Sequence, residues 1–217
     1  MKKNIYHLVK KLKLGHAYPK KNKETGEIEV KPIFFEIRFI DTIAFMPSSL
    51  CTLIDNLKVS CKDINELRSA FKNTSKSFPI DEDFKLMIAK GIYPYDYIDN
   101  YSRLYETHLP PIEEFYSQLN NSHCDKIDYE RAQHVWSHFN CQTMLDYHNL
   151  YLRSDVLLLA DVFGAFKDVC YKIYGLDASY YYTSPGLSWD AFLKHSNEKY
   201  IKIYNLLRGN YKSDCNS

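Results

Sequence analysis

The chain has 217 residues, of which 45% are hydrophobic and 25% charged, and it carries a net charge of only +1. This is the composition of a soluble globular protein, and the length suffices for one sizeable core or two small ones. It excludes a membrane-spanning protein, because the longest apolar run lies within 156–160 while a span needs roughly 20 residues; since there is also no signal-peptide core, we expect an intracellular protein with no membrane partner.

The amino-terminal segment is strongly basic, although the whole chain is nearly neutral. Residues 1–31 hold nine lysines and three glutamates, a net +6, and the remaining residues carry −5. Lysine-rich arms attract phosphate backbones without reading sequence, but a solvated tail would have the same composition. We assign residues 1–32 to a basic arm and turn, in which a polar turn at 20–29 follows a weak strand near 6–14.

Residues 33–41 are predicted to form a strand, because apolar and polar side chains alternate along them. Phe35, Ile37 and Phe39 share one face of this strand, and Asp41 ends it on the same face. The sequence therefore places a carboxylate at the end of an apolar strand.

Two short helices and a loop are predicted next. Ser48 and Ser49 can cap a helix at 50–57, and a second helix covers 64–71. Residues 72–111 are rich in prolines and aromatic side chains. They predict an aromatic loop lying over the core.

From residue 112 onward the pattern is helical. Helices are predicted at 112–119, 128–139 and 143–174, with Gly175 as the carboxy-terminal cap of the third. The sequence Ser184-Pro185-Gly186 is expected to break the chain before a last helix at 187–207. A few strands followed by many helices predict a helix-rich α+β fold, or an α/β domain with an incomplete sheet.

An aspartate within the long helix is the most informative residue. At about 100° per residue, with Tyr151 at zero, Asp155 lies near 40°, inside an apolar stripe at roughly 20° to 120°. Asp161 lies at about 280° and Asp168 at about 260°, so both are predicted to be solvated charges. A carboxylate in an apolar stripe needs a proton, a hydrogen-bond donor or a cation.

The spacing Tyr151-x-x-x-Asp155 puts a hydroxyl and a carboxylate one helical turn apart. Such a pair can hold a divalent cation and orient a water molecule in two-metal phosphodiester cleavage. Pairing of the aspartate with Arg153, His148 or Lys167 is the structural alternative.

Four segments resemble, in order and spacing, the exonuclease domain of protein-primed family B DNA polymerases, above all those of Polinton (Maverick) elements and their viral relatives. They are FIDT at 39–42, AKGIYPYDY at 89–97, YLRSDVLLLADVF at 151–163 and YYTSPGLSWDAFLK at 181–194. The resemblance covers about residues 33–195 and implies an incomplete ribonuclease-H-like fold.

The resemblance also implies roles for individual residues. Asp155 matches a metal ligand, Tyr151 a residue that places the attacking water, and Lys90 a lysine near the scissile phosphate. Thr42 and Ile43 match a Ser/Thr-Leu pair that contacts the single-stranded primer end, with Ile in place of Leu. The implied activities are DNA synthesis from deoxynucleoside triphosphates and 3′–5′ proofreading. Mg²⁺ or Mn²⁺ is the implied cofactor, and a terminal protein primer is a possible partner.

Other motifs of that family are missing. Its first exonuclease motif, Asp-x-Glu, and the aspartate of its second should precede residue 33, yet the stretch 1–32 contains no aspartate. Asp81-Glu82-Asp83 has the wrong pattern and place, and no palm motif follows. The sequence therefore reads as a fragment, with a partial exonuclease domain at 33–175 and a connection toward a missing palm at 176–217. We expect the chain alone to catalyse neither reaction; a non-catalytic nucleic-acid-binding or interaction remnant is the alternative.

Two further patterns leave alternatives open. His134, His138 and Cys141 could supply zinc ligands, but their spacing fits no tight zinc pattern, and packed or exposed histidines are favoured. The six cysteines have no pairing-like spacing and are predicted to be reduced. The tyrosines at 93, 95 and 97 could stack on bases, but an aromatic loop covering a core is the favoured explanation.

Overall fold

The computed structural model describes residues 7–16, 19–21, 28–29, 32–119 and 121–196. The chain divides into two compact units, one comprising Met1–Pro47 with Cys170–Ser217 and the other Ser48–Val169. The described residues form a helix-rich α+β structure with two small sheets, which confirms the helix-rich α+β part of the predicted fold class. None of the described helices combines the length and apolarity that crossing a membrane requires.

The first unit contains an antiparallel hairpin. Strand β1 (His7–His16) pairs with β4 (Pro32–Ile40), and the short strands β2 (Lys20–Lys21) and β3 (Ile28–Glu29) pair within their connection. Both predicted strands are therefore present. The side chains of Phe35 and Phe39, which share a face of β4, are 52% and 56% exposed.

The second unit contains five described α-helices and most of a sixth, which is the longest. They are α1 (Leu50–Val59), α2 (Ile64–Ala70), α3 (Lys72–Ser77), α4 (Asp81–Met87) and α5 (Lys126–His138), followed by α6 (Met144–Tyr174). Ser49 caps α1 as predicted, because its side chain accepts a hydrogen bond from the Thr52 amide. Gly175, with φ of 63°, follows the end of α6 in the left-handed region that favours glycine.

Three predictions of secondary structure were wrong. The stretch 72–111 contains α3 and α4 and is not one loop; acidic residues fill the first turn of α4, where they complement the helix dipole. The helix predicted at 112–119 is only a 3-10 turn at Ile112–Phe115. The predicted break at 184–186 instead opens α7 (Ser184–His195), because proline is tolerated in a first helical turn.

The buried face of α6 also differs from the prediction. Apart from Cys170, at about 100°, its buried side chains lie between roughly 280° and 20° on the helical wheel, while Leu152 and Leu159 of the predicted stripe are 51% and 37% exposed. Asp155 is therefore at the margin of the buried face. Asp161, predicted to be solvated, is only 3% exposed, whereas Asp168 is exposed as expected. The last part of the helix predicted at 187–207 and Cys215 lie outside the described residues.

Candidate functional site

Three of the residues that the sequence singled out form one cluster. The ammonium of Lys90 lies 2.9 Å from Oδ1 and 3.0 Å from Oδ2 of Asp155, and 3.0 Å from the hydroxyl oxygen of Tyr151. The Tyr151 hydroxyl also donates to Asp155 Oδ2 at 3.1 Å. Lys90 belongs to a segment far from α6 in the sequence, so this cluster depends on tertiary packing.

Local sequence explains how the three side chains are presented. Tyr151 and Asp155 are one turn apart on α6 and therefore lie on adjacent surface. Lys90 follows α4 and precedes Gly91, where an added Cβ would lie 3.2 Å from Cδ2 of Tyr151. Glycine thus lets the backbone beside Lys90 approach the Tyr151 ring closely.

Aromatic side chains support the cluster. Tyr93 stacks on Tyr151 with ring centroids 4.9 Å apart, and the hydroxyls of Tyr95 and Tyr151 are 2.6 Å apart. Tyr93 is further held by His148, whose Nδ1 lies 2.8 Å from the Tyr93 hydroxyl. Tyr95 is 65% exposed, so it offers an aromatic surface next to Tyr151. Tyr97 instead contacts Arg103, outside this cluster.

The cluster is half-buried and internally neutralised. The side chains of Lys90 and Asp155 are 31% and 24% exposed, and the Lys90 ammonium lies 5.2 Å from the Tyr151 ring centroid. Burial, the hydrogen bond with Tyr95 and the charge of Asp155 raise the pKa of the Tyr151 hydroxyl. Two of the three alternative partners considered for Asp155 make other contacts. Arg153 donates to the Ser77 carbonyl, and His148 contacts the Tyr93 hydroxyl.

Sequence reasoning missed Arg131, which contacts the backbone of this site. Its guanidinium donates to the carbonyls of Lys90 and Ala89, both at 2.6 Å, and to that of Leu86 at 3.2 Å. Burial lowers the pKa of this guanidinium. The available signal was an arginine adjacent to Ala132 on the buried face of α5.

Thr42 and Ile43 belong to the first compact unit. They form a 3-10 turn, Thr42–Ala44, in which Asp41 Oδ1 accepts a hydrogen bond from the Ile43 amide at 3.0 Å. The Ile43 side chain is 50% exposed. Their contact with a primer end remains a prediction.

The residues present do not fit the two-cation site that the resemblance implies. Asp155 supplies one carboxylate, and the Lys90 ammonium already binds both of its oxygens. Mg²⁺ and Mn²⁺ prefer about six oxygen ligands in octahedral geometry. Within the described ranges, no three His, Cys, Asp or Glu side chains are grouped so that they could hold a metal ion.

The side chains considered as zinc ligands, His134, His138 and Cys141, have other surroundings in the structure. His138 Nε2 lies 2.6 Å from Asp83 Oδ1, and the His134 and His138 rings meet edge to face. Cys141 is buried, and burial raises the pKa of its thiol to about 11. Across the part of the chain that is described, these side chains do not form a metal-binding group. The described cysteines are free thiols, as predicted.

Comparison with protein-family models, curated proteins and solved structures finds no match to this chain.

Two buried tyrosines, Tyr147 and the cluster residue Tyr151, predict a loss of stability in alkali. Burial raises the pKa of Tyr147 and of Tyr151 above the ordinary value of about 10. Because the unfolded chain then releases protons first, this contribution to stability is complete below about pH 10 and is lost above it, by up to about 1.4 kcal/mol per pH unit for each tyrosine. Urea titrations between about pH 8 and about pH 11.5 should show this fall.

Tyr147→Phe provides the control, because it removes one of the two hydroxyls. The slope of the unfolding free energy against pH gives the difference in bound protons between the folded and unfolded states. In this variant, that difference should be smaller by about one proton. An unchanged slope would show that Tyr147 does not contribute.

Proposed function

We propose that this chain is part of a DNA-directed DNA polymerase related to protein-primed family B. In this proposal its second unit derives from a ribonuclease-H-like 3′–5′ exonuclease domain, and Lys90, Tyr151 and Asp155 face the 3′ end of a single DNA strand. The meeting of these three side chains carries the proposal. The resemblance assigns all three to one site, and chance would rarely bring so distant a lysine onto both Tyr151 and Asp155.

The cluster has the chemistry to hold a nucleotide. An ammonium that is about one-third exposed can exchange a carboxylate for a phosphate oxygen, and charge-assisted hydrogen bonds to phosphate are among the stronger polar contacts. The exposed Tyr95 ring can stack on an unpaired base, which is a sequence-independent contact. The Tyr151 hydroxyl forms hydrogen bonds with both Tyr95 and Asp155, and it therefore fixes the spacing between these two side chains.

Cleavage by this chain alone is not part of the proposal. Two-metal phosphodiester hydrolysis needs several carboxylates, and Asp155 is the single carboxylate in the cluster. Proofreading would therefore require further carboxylates. Mg²⁺ or Mn²⁺, deoxynucleoside triphosphates and a terminal protein primer belong to the proposed polymerase.

Photocrosslinking to a single-stranded oligonucleotide with a 3′-terminal 4-thiothymidine tests the proposal. Crosslinks located by mass spectrometry should fall near Lys90 and Tyr95. Lys90→Met should lower their yield about tenfold, as expected for loss of a charge-assisted hydrogen bond. Lys85→Met is the matched control, because Lys85 is exposed on α4 and outside the cluster; it should leave the yield unchanged.

A parallel reaction with Mn²⁺ and a labelled strand measures nuclease activity. Degradation should be equal in the wild type and in Asp155→Ala. Robust degradation that disappears in Asp155→Ala would show that the chain is a nuclease by itself. Crosslinks that do not change in Lys90→Met would refute the proposed contact with the 3′ end.

The basic hairpin supports a second candidate, a non-catalytic nucleic-acid-binding module. Lys10 and Lys13 are exposed on β1, where they can contact phosphates. Lys10→Gln with Lys13→Gln keeps the paired strand, unlike deletion of residues 1–31. If this candidate is correct, crosslinks map to the hairpin, fall steeply with salt and are lost in that double variant but not in Lys90→Met.

A further inference from the structure

Arg131 donates its hydrogen bonds to backbone carbonyls. Its guanidinium bonds the carbonyls of Leu86, Ala89 and Lys90, which lie at the end of α4 and in the turn that follows. The last carbonyls of a helix have no intrahelical partner, so a planar fork of donors suits this place. In the described ranges, Arg131 has no carboxylate within ion-pair distance.

A half-buried guanidinium that has no carboxylate of the described residues within ion-pair distance is an unfavourable way to satisfy carbonyls, because neutral donors could do the same without desolvating a charge. Such departures from an optimal arrangement concentrate at functional sites. The three carbonyls include that of Lys90 itself, which links Arg131 directly to the candidate site.

The chain next to Lys90 is also fixed from the other side. The Tyr147 hydroxyl donates to the Ile92 carbonyl at 2.8 Å, and Gly91 lies against the Tyr151 ring. Between these contacts the backbone of Lys90 has little freedom. The position of its Cα then determines whether a flexible side chain reaches both Asp155 oxygens.

We propose that Arg131 is the positioning residue of this site: by binding the backbone of Lys90 and its neighbours, it keeps the Lys90 ammonium on Asp155 and Tyr151. Arg131 acts through Lys90 and itself touches no reacting group. The inference deepens the proposed function, but the positioning is a property of the folded chain, so it can be tested without DNA.

Competitive amine labelling of the full chain, with a limiting acylating reagent and peptide mass spectrometry, measures the access of reagent to each lysine. A bound ammonium must leave its partners before it reacts, so Lys90 should be labelled about tenfold more slowly than exposed Lys85, a ratio that corresponds to about 1.4 kcal/mol. Arg131→Met should raise the Lys90 rate severalfold, and Arg131→Lys, which can bind one carbonyl, should give an intermediate rate. Lys85 should not change in either variant.

Repeating the labelling in an Asp155→Asn background distinguishes positioning of Lys90 from general stabilisation of the fold. In Asp155→Asn the ion pair is already broken, and Lys90 should be labelled rapidly. If Arg131 acts through the pair, adding Arg131→Met to Asp155→Asn has little further effect, which is the signature of coupled sites. Arg153→Met, which changes an arginine on α6 that does not contact Lys90, is the control and should leave Lys90 protected.

Two results would overturn the inference. One is a Lys90 rate that stays the same in both Arg131 variants while they remain folded. The other is an equal rise in the wild-type and Asp155→Asn backgrounds, because that would mean Arg131 merely loosens the loop. If Arg131→Met does not fold, the lysine variant decides the question by the same two comparisons. None of these outcomes depends on crosslinking, so the inference and the proposed function can fail separately.

Discussion

Asp161→Ala should destabilise the protein by about 3–5 kcal/mol, because it removes a buried charged acceptor and leaves its donors without partners. The Asp161 side chain accepts hydrogen bonds from two neighbouring residues. The amides of Asn73 and Thr74 donate at 2.8 and 2.9 Å, and the side chains of the same two residues donate at 2.8 and 2.7 Å. Thr74 is fully buried, so its donors lose their acceptor in a site that is shielded from bulk water.

The carboxylate also completes α3. Phe71, the residue before this helix, makes no side-chain capping bond, so Asp161 supplies the cap from α6. A capping bond alone contributes roughly 1 kcal/mol, and the buried environment accounts for the larger expected loss. Asp161 thus joins two helices through hydrogen bonds as well as through packing.

Urea unfolding followed by circular dichroism measures this effect, with Asp168→Ala as the matched control. Asp168 is on the same helix but exposed, and it pairs with Lys72 at 3.4 Å. Its replacement should change the unfolding free energy by less than about 0.5 kcal/mol. Equal effects at the two positions would contradict the structural role of Asp161.

The second large effect concerns the ion pair in the candidate site. Lys90→Met and Asp155→Ala should each destabilise the chain, and the double variant should lose less stability than their sum, with a coupling of about 1–2 kcal/mol. Each single change leaves a half-buried charge without its partner, which is why the singles are the more damaging. The coupling is smaller than for a fully buried pair because both side chains are partly exposed.

The exposed pair Lys72 and Asp168 is the control for this cycle. Its side chains are 65% and 73% exposed, so its coupling should be about 0–0.5 kcal/mol. The two cycles, measured by urea unfolding under the same conditions, should therefore differ clearly. A Lys90–Asp155 coupling as small as that of the exposed pair would mean that the observed contact adds no stability.

The Lys90–Asp155 cycle also tests whether Asp155 is available to a divalent cation. A coupling of the expected size would show that Lys90 holds Asp155 in solution, as it does in the structure. A divalent cation at Asp155 would then have to displace an ammonium that already binds both oxygens. Proofreading chemistry would depend on carboxylates that raise the affinity for the cation enough to do so.

Local rules predicted most elements of the fold but not their extent. Period-two alternation gave β4, and the serine cap and helical periodicity gave α1. Ser184-Pro185-Gly186 begins a helix, although we predicted a break there. Proline and glycine can either end a segment or begin a helix, so the local sequence allows both outcomes. The helices α3 and α4 were missed because each is only a few residues long and one is capped from α6.

The candidate site was likewise predicted only in part. Sequence resemblance selected Lys90, Tyr151 and Asp155, and helical geometry alone put the last two side by side. Asp161 was misjudged because the apolar stripe at roughly 20° to 120° was taken as the buried face of α6, whereas Asp161, at about 280°, is buried in the structure. Arg131 gave almost no signal, since an arginine on a helix is usually solvated.

By itself, the sequence determined the helix-rich composition of the fold, the hairpin strands, the caps of α1 and α6 and the pairing of a tyrosine with an aspartate one turn later. These depend on neighbours within a short stretch of chain, where backbone geometry fixes which side chains can meet. Tertiary structure alone decided that Lys90 neutralises Asp155, that Asp161 is buried and that Arg131 holds the backbone of Lys90. Such contacts join residues that are distant in the sequence, and their partners are set by how whole helices pack, which no local pattern encodes.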